Sequence, residues 1–233
     1  MRNTLLLAAI GSLALGALGV AQSYPHAFPR VGTTMLIDNE RVIVWEVNWK
    51  HDVPQPVHQH KYDMAGVYLR YAPIRVTLPD GTATPTGDVF QVPRPYFQLK
   101  GITHKEEAMG ASTDPERLAI MVDLKDDAPP PAAMTSTLPR EFPRDGASQV
   151  LDNARVRMWD YTWQPNRAVA QHVHDTDTIE VFVDGGTITT RTADGKMDTR
   201  TVAFKDARFV PRGRVDTEEA SSGSPRAIII ELK

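Results

Sequence analysis

The chain carries one stretch twice, and that repetition restricts its possible folds more than any other feature. Phe28-Pro29-Arg30 and Gly32 recur as Phe142-Pro143-Arg144 and Gly146. Asp38-Asn39 and Arg41-Val42 recur as Asp152-Asn153 and Arg155-Val156, and Trp45 and Trp49 recur as Trp159 and Trp163. His58-Gln59-His60 returns as His172-Val173-His174, and Asp80-Gly81 as Asp194-Gly195. Each pair is 114 positions apart, and 10 of the 22 positions from Phe28 to Trp49 are identical without a gap. The chain is therefore two copies of one structural unit. Both copies hold a His-x-His, so the repeat also marks where chemistry would sit.

A length of 233 residues divides into two units of roughly 100 residues, each long enough to bury a core. The first is expected over 28–125 and the second over 142–233. Between them, 126–141 reads as a linker, because Pro129-Pro130-Pro131 and Pro139 cannot donate to a ladder. The formal net charge of -3, with no basic cluster, speaks against a nucleic-acid partner. Cysteine is absent, which excludes disulfides, thiolate metal sites and a cysteine nucleophile. Residues 1–21 read as a cleavable signal peptide: a weakly basic start, the apolar run Leu5 to Val20, and a small-residue exit at Gly19-Val20-Ala21. No cysteine follows for a lipid anchor. The mature chain is expected to begin near Gln22, to be periplasmic or secreted, and to have no membrane association after cleavage.

Within each copy the apolar period is two. Arg41 to Trp49 is β-branched and aromatic, and Gly66 to Tyr71, Ile74 to Leu78 and Leu118 to Leu124 follow. The second copy repeats this in Val156 to Trp163, Ile179 to Val183, Thr187 to Thr192, Thr201 to Phe204 and Ala227 to Leu232. Turns are predicted at Pro79-Asp80-Gly81, Asp184-Gly185-Gly186 and Ala193-Asp194-Gly195. No amphipathic helix is legible, so the class is all-β.

Residues i and i+2 of a strand share a face. His58 and His60 therefore project together, as do His172 and His174, and two adjacent imidazoles can share a metal ion. A third ligand must come from another strand. Trp45, Trp49, Trp159 and Trp163 share one face and read as packing groups. Tyr68 would share the face of the first histidine pair if the strand runs through, and Tyr62, Gln91 and Gln98 are further polar lining groups. Glu106-Glu107 and Glu218-Glu219 read as a solvated edge, and His26 and His51 as surface residues. Arg41 and Arg155 read as turn locks, Arg41 on Asp38. There is no Ser-His-Asp pattern, phosphate-cradling glycine loop or dinucleotide fingerprint.

With these residues the chain resembles the cupin superfamily, whose first motif is Gly, His-x-His, a Glu and a closing Gly, and whose second is Pro-x-Gly-x-x-His. The second copy reads Pro211-Arg-Gly213-Arg-Val-Asp216 and the first Leu99-Lys-Gly101-Ile-Thr-His104. The resemblance implies two tandem jelly-roll β-barrels related by a pseudo-two-fold, as a monomer or homodimer. It also implies a metal held by His58, His60 and His104, and a second set of His172, His174, Asp216 and Glu180. The motif glutamate is missing from both copies: its place falls on Met64 in the first and Thr178 in the second. Family members of this kind imply a divalent metal, iron foremost, with manganese, nickel, zinc and copper as alternatives. Dioxygenase-like oxidation of a small organic substrate is the first expectation, with Tyr68 touching substrate or water. Metal-assisted isomerisation or elimination is the second, and a non-catalytic module for a sugar acid-like ligand the third.

Overall fold

The computed structural model describes residues 23–53, 55–84, 89–129 and 134–233. The expected signal peptide lies outside them. Among the described residues no helix is long and apolar enough to cross a membrane, and every regular element is a strand.

The first copy supplies β1 (Thr33–Asp38), β2 (Val42–Asn48), β3 (His58–Gln59), β4 (Asp63–Arg70), β5 (Ile74–Thr77), β6 (Ala83–Thr84), β7 (Arg94–Gln98), β8 (Thr103–Ala108) and β9 (Leu118–Leu124). The second supplies β10 (Ser148–Asp152), β11 (Val156–Thr162), β12 (Val169–Val173), β13 (Asp177–Thr192), β14 (Met197–Val202), β15 (Ala207–Val210) and β16 (Val215–Leu232). The first copy forms a five-stranded sheet, β1-β2-β9-β4-β7, and a separate four-stranded sheet, β3-β8-β5-β6. The second copy forms one sheet, β10-β11-β16-β13-β14, with β12 on β16 and β15 on β13.

The expectation of closed barrels is corrected here, because each of these sheets is open. In the first copy β1 and β7 are the two edges of one sheet and do not pair with each other. The edges meet the other copy instead. β1 lies against β15, and β10 lies against β7, which covers strand edges that would otherwise be free to pair with another chain.

The two copies differ in how far their strands run. β13 continues where the first copy breaks into β4 and β5 around Tyr71-Ala72-Pro73, since Pro73 has no N–H to give. The predicted turn at Asp184-Gly185-Gly186 is accordingly a bulge inside β13, with register shifts on both sides of Asp184. The turns at Gly81 and Gly195 stand as expected, with φ of 87° and 83°.

The large sheets are buried on both faces. Trp45, Val47, Met64, Tyr68, Ala119 and Met121 face the smaller sheet of the first copy and meet Ile74. The alternate residues Val42, Val44, Ala65, Val67, Ile120 and Val122 meet Val156, Met158, Ile179, Val181, Ile228 and Ile230 of the second copy in one shared core. Double-sided burial is why β9 is apolar at every position except Asp123.

Arg41 and Arg155 are not turn locks. Arg41 Nε lies 3.0 Å from Asp177 and Arg155 Nη1 lies 3.0 Å from Asp63, so each copy's arginine pairs with the same carboxylate position of the other. Such reciprocity is the signature of an isologous contact. Asp38 instead pairs with Lys125 at 2.6 Å. The turns themselves are closed by Asn39 and Asn153, whose Oδ1 atoms accept from the backbone N–H groups two and three residues on.

Candidate metal centre

β3 pairs with β8 so that His58 lies opposite His104. His60 follows on the same face. The three side chains are buried, their ring centroids lie 4.9–5.2 Å apart, and one nitrogen from each falls within 4.8 Å of the others. His60 Nε2 faces His104 Nε2 at 3.2 Å. His58 Nδ1 lies 3.2 Å from Pro56 O, which turns Nε2 inward. His58 Nε2 and His60 Nδ1 are buried without a protein partner. Burial, with Arg30 next, holds His58 down at about 4. Burial and the neighbouring His104 hold His60 at about 3, and burial lowers His104 also. The rings are neutral, so their lone pairs are free to meet a cation. Three neutral imidazoles with nitrogens this close in a buried space fit a divalent transition metal.

Glu106 stands beside them. It projects from β8 two residues after His104, on the same face, and is buried. Its Oε2 accepts from Arg30 Nη2 at 2.6 Å and from Trp49 Nε1 at 3.0 Å. Burial opposes its charge, but Arg30 and the histidines outweigh that and hold it at about 2. The solvated-edge reading therefore fails for Glu106 and for Glu218, which are the inward members of their pairs. Alternation along β8 and β16 was the signal that could have separated them from Glu107 and Glu219. Trp49 and Trp163 pack as expected, and their indoles also donate to Glu106 and Glu218.

Tyr68 lies in an aromatic wall with Trp49, Phe90 and Tyr96. Burial and then the charge of Glu106 raise its phenol well above the ordinary range. The guanidinium of Arg117 covers Tyr68, Tyr71 and Phe90 at 5.2–5.4 Å. Tyr62 meets His26 edge-on. His26 is not a free surface residue, since its Nε2 lies 3.0 Å from the buried carboxylate of Asp123.

In the second copy His172, His174 and Asp216 also come together, with Nε2 of both rings 3.5 Å from Asp216 Oδ1. Glu180 does not join them; its Oε1 accepts from Arg208 at 2.7 Å. Two residues missed in the sequence complete this cluster. Glu141, within the linker by composition, lies 2.6 Å from His174 Nδ1. Arg140 beside it bridges to Val173, as His26 does to Gln59 in the first copy. Glu218 accepts from Arg144 at 3.1 Å. Burial resists a charge on His174, yet Asp216 and Glu141 outweigh it and hold the ring up at about 10. Candidate ligand groups exist here too, Glu141-His172-His174 and His174-Asp216-Glu218, but Arg144 and Arg214 pair with Glu218 and Asp216, and Glu141 pairs with His174.

No protein-family model and no curated protein matches the chain. Solved structures do. AerE from Microcystis aeruginosa superposes with a TM-score of 0.59 at 10% identity, covering 91% of this chain and 99% of that one. The Cupin 2 conserved barrel domain protein from Leptotrichia buccalis gives 0.51 at 11%, covering 86% and 88%. The fold is cupin-like. Oxalate decarboxylase from Bacillus subtilis, a protein with Mn(II) centres, gives 0.53 at 12%, covering 84% of this chain and 69% of that one. At such identities the likeness is one of fold. In this structure β3 and β8, neighbours in the smaller sheet, carry His58 and His104, with His60 just after β3, and the three nitrogens make the cluster suited to a divalent transition metal.

Proposed function

We propose that the chain is a metal-dependent lyase acting on a small carboxylate, with its metal held by His58, His60 and His104. The observation that carries this is the buried trio of neutral rings, with one nitrogen of each of His58, His60 and His104 within 4.8 Å of the others. Within that trio His58 Nε2 is buried with no protein partner, and leaving such a group unpaired costs about 1–3 kcal/mol unless something binds it. The second copy is set aside as the metal site because its ring at His174 is charged, held by Glu141 and Asp216, and Glu218 and Asp216 already pair with Arg144 and Arg214.

The substrate class rests on Arg30. Its Nη2 is taken by Glu106, but Nε and Nη1 are buried without partners, and its charge is felt at His58. A guanidinium with donors to spare favours a carboxylate beside the histidines. Tyr68 and Tyr96 line the same side, and burial with the Glu106 charge keeps both phenols protonated, Tyr96 at about 12. They can therefore donate hydrogen bonds and hold a proton through a reaction. A divalent ion at the histidines would supply Lewis acidity that polarises a substrate oxygen. The fold likeness to a decarboxylase that has Mn(II) centres supports this choice, and manganese is the first metal to test. The dioxygenase expectation has no comparable support.

The test is metal content of the protein from Gln22 onward, purified without a histidine tag, with CO2 release measured on a panel of small mono- and dicarboxylates. About one metal per chain is expected, lost in His58→Ala/His60→Ala and retained in His172→Ala/His174→Ala. No metal after reconstitution with manganese, iron, nickel and zinc would overturn the proposal. Turnover that consumes dioxygen stoichiometrically would return the site to oxidation.

A further inference from the structure

We propose that the second copy binds a small organic monocarboxylate with an apolar body, in a cavity that it closes together with the first copy. The site lies apart from both histidine clusters and does not depend on a metal.

The cavity has a volume of about 460 Å³, within the range of about 300–1,000 Å³ that small-molecule sites take. It lies where β1 meets β15, so both copies wall it. Thr34, Leu36 and Glu46 come from the first copy, and Phe182, Val202 and Arg208 from the second. The two copies differ at this place. The repeat partner of Phe182 is Tyr68, on which Phe90 and Tyr96 pack at 5.3 and 5.4 Å. Phe182 has one aromatic neighbour among the described residues, Trp163 at 5.9 Å, and lines the cavity. Glu180 opposite Arg208 in the β13–β15 register corresponds to Gly66 opposite Tyr96 in the β4–β7 register. A guanidinium thus stands where the first copy has a phenol.

The buried end of the cavity holds an unused donor. The Arg208 side chain is 9% exposed, and its Nη2 is taken by Glu180 at 2.7 Å, while Nε has no partner. A buried donor left unpaired is costly, and a carboxylate oxygen satisfies it with a charge-assisted bond. Nearer solvent, Arg200 pairs with no carboxylate among the described residues. It stands opposite the buried Ile188 and leaves β14 on that same inward face, along the cavity wall. The two acidic groups of the lining are already engaged. Glu46 meets Lys205 at 2.8 Å, and Asp206 accepts from the Ala203 N–H at 2.8 Å. Three cations, Arg200, Lys205 and Arg208, face these two carboxylates, which favours a ligand with a single negative charge over a dianion. Phe182, Val202 and Leu36 give its apolar body a surface to pack on.

The test is calorimetric titration of benzoate and hexanoate into the protein from Gln22 onward, held in chelator so that no metal takes part. Binding is expected, and benzamide, with the benzoate ring but no charge, should bind at least about 10-fold more weakly than benzoate. Arg208→Gln strips Glu180 and Glu218 of a counter-charge and so tests folding as much as binding; the decisive substitutions are therefore at exposed positions. Arg200→Ala should weaken benzoate binding about 10-fold. Thr34→Trp, which fills the cavity from the first copy, should abolish it, with the melting temperature of either variant close to wild type. Benzoate affinity unchanged in either variant, benzamide binding as tightly as benzoate, or no binding of either carboxylate at millimolar concentration would overturn the proposal. Since the titration needs neither metal nor turnover, its failure leaves the lyase reading standing.

Discussion

His60 and His174 occupy one position in the repeat, yet near neutral pH His60 is neutral and His174 is positively charged. The difference comes from their neighbours. Glu141 lies against His174 where the first copy has the buried Ala27, and Asp216 stands where the first copy has His104. Two carboxylates make an imidazolium, whereas two further imidazoles leave His60 neutral. This fixes the pH dependence of the metal-free protein. His58 and His60 stay neutral in the fold, down to about 4 and about 3, while the unfolded chain takes up protons below 6.5. Their contribution is present above 6.5 and is lost as pH falls. His174 is raised to about 10, so its contribution is full below 6.5 and is lost as pH rises toward about 10. Melting temperature against pH, measured in chelator, should therefore peak near 6.5. His174→Gln should flatten the alkaline limb and spare the acid limb. An alkaline limb of unchanged slope in that variant would rule out His174 as its source.

At the level of strands, the interior of each sheet was legible and its interruptions were not. β2, β9 and β11 fall within a residue or two of their expected bounds, because β-branched and aromatic runs of that length permit little else. The His-x-His pairs were legible for the same reason, since alternation alone puts both rings on one face. The bulge at Asp184-Gly185-Gly186 reads as a turn, because glycine pairs serve both and only the partner strand decides. The inward turn of Glu106, the approach of Arg208 to Glu180 and the entry of Glu141 all depend on strands remote in sequence, and no local pattern encodes them. At the bulge, Gly186 has a demand that can be measured. A Cβ there would stand 2.6 Å from Ser222 O and 2.6 Å from Pro225 Cγ. Backbone on one side and a proline ring on the other cannot move cheaply, so Gly186→Ala should lower stability by about 1–3 kcal/mol. The urea midpoint reads this directly. A midpoint within error of wild type would mean that β13 and β16 part at the bulge rather than pass closely.

Across the whole molecule, the two copies are joined by more than their linker. The shared core takes alternate residues from β2, β4 and β9 on one side and from β11, β13 and β16 on the other. The reciprocal pairs Arg41–Asp177 and Arg155–Asp63 rim it. Partly exposed pairs of this kind contribute little on their own, about 0–1 kcal/mol; their value lies in setting the relative orientation of the sheets. The apolar face does most of the stabilising, and neither copy can keep that face dry alone. Unfolding should consequently be a single transition even though the sequence is a tandem repeat. Ile120 is fully buried in the shared core, and Ile120→Ala should cost about 2–5 kcal/mol. In a calorimetric scan the entire endotherm should move down, with calorimetric and van't Hoff enthalpies still equal. If the copies were independent, the substitution would split the endotherm and leave the second copy's part at its original temperature. The same coupling bears on the candidate centre. Metal binding at His58, His60 and His104 should raise the melting temperature of the whole chain, second copy included, because a ligand that binds one half of a cooperative unit stabilises all of it.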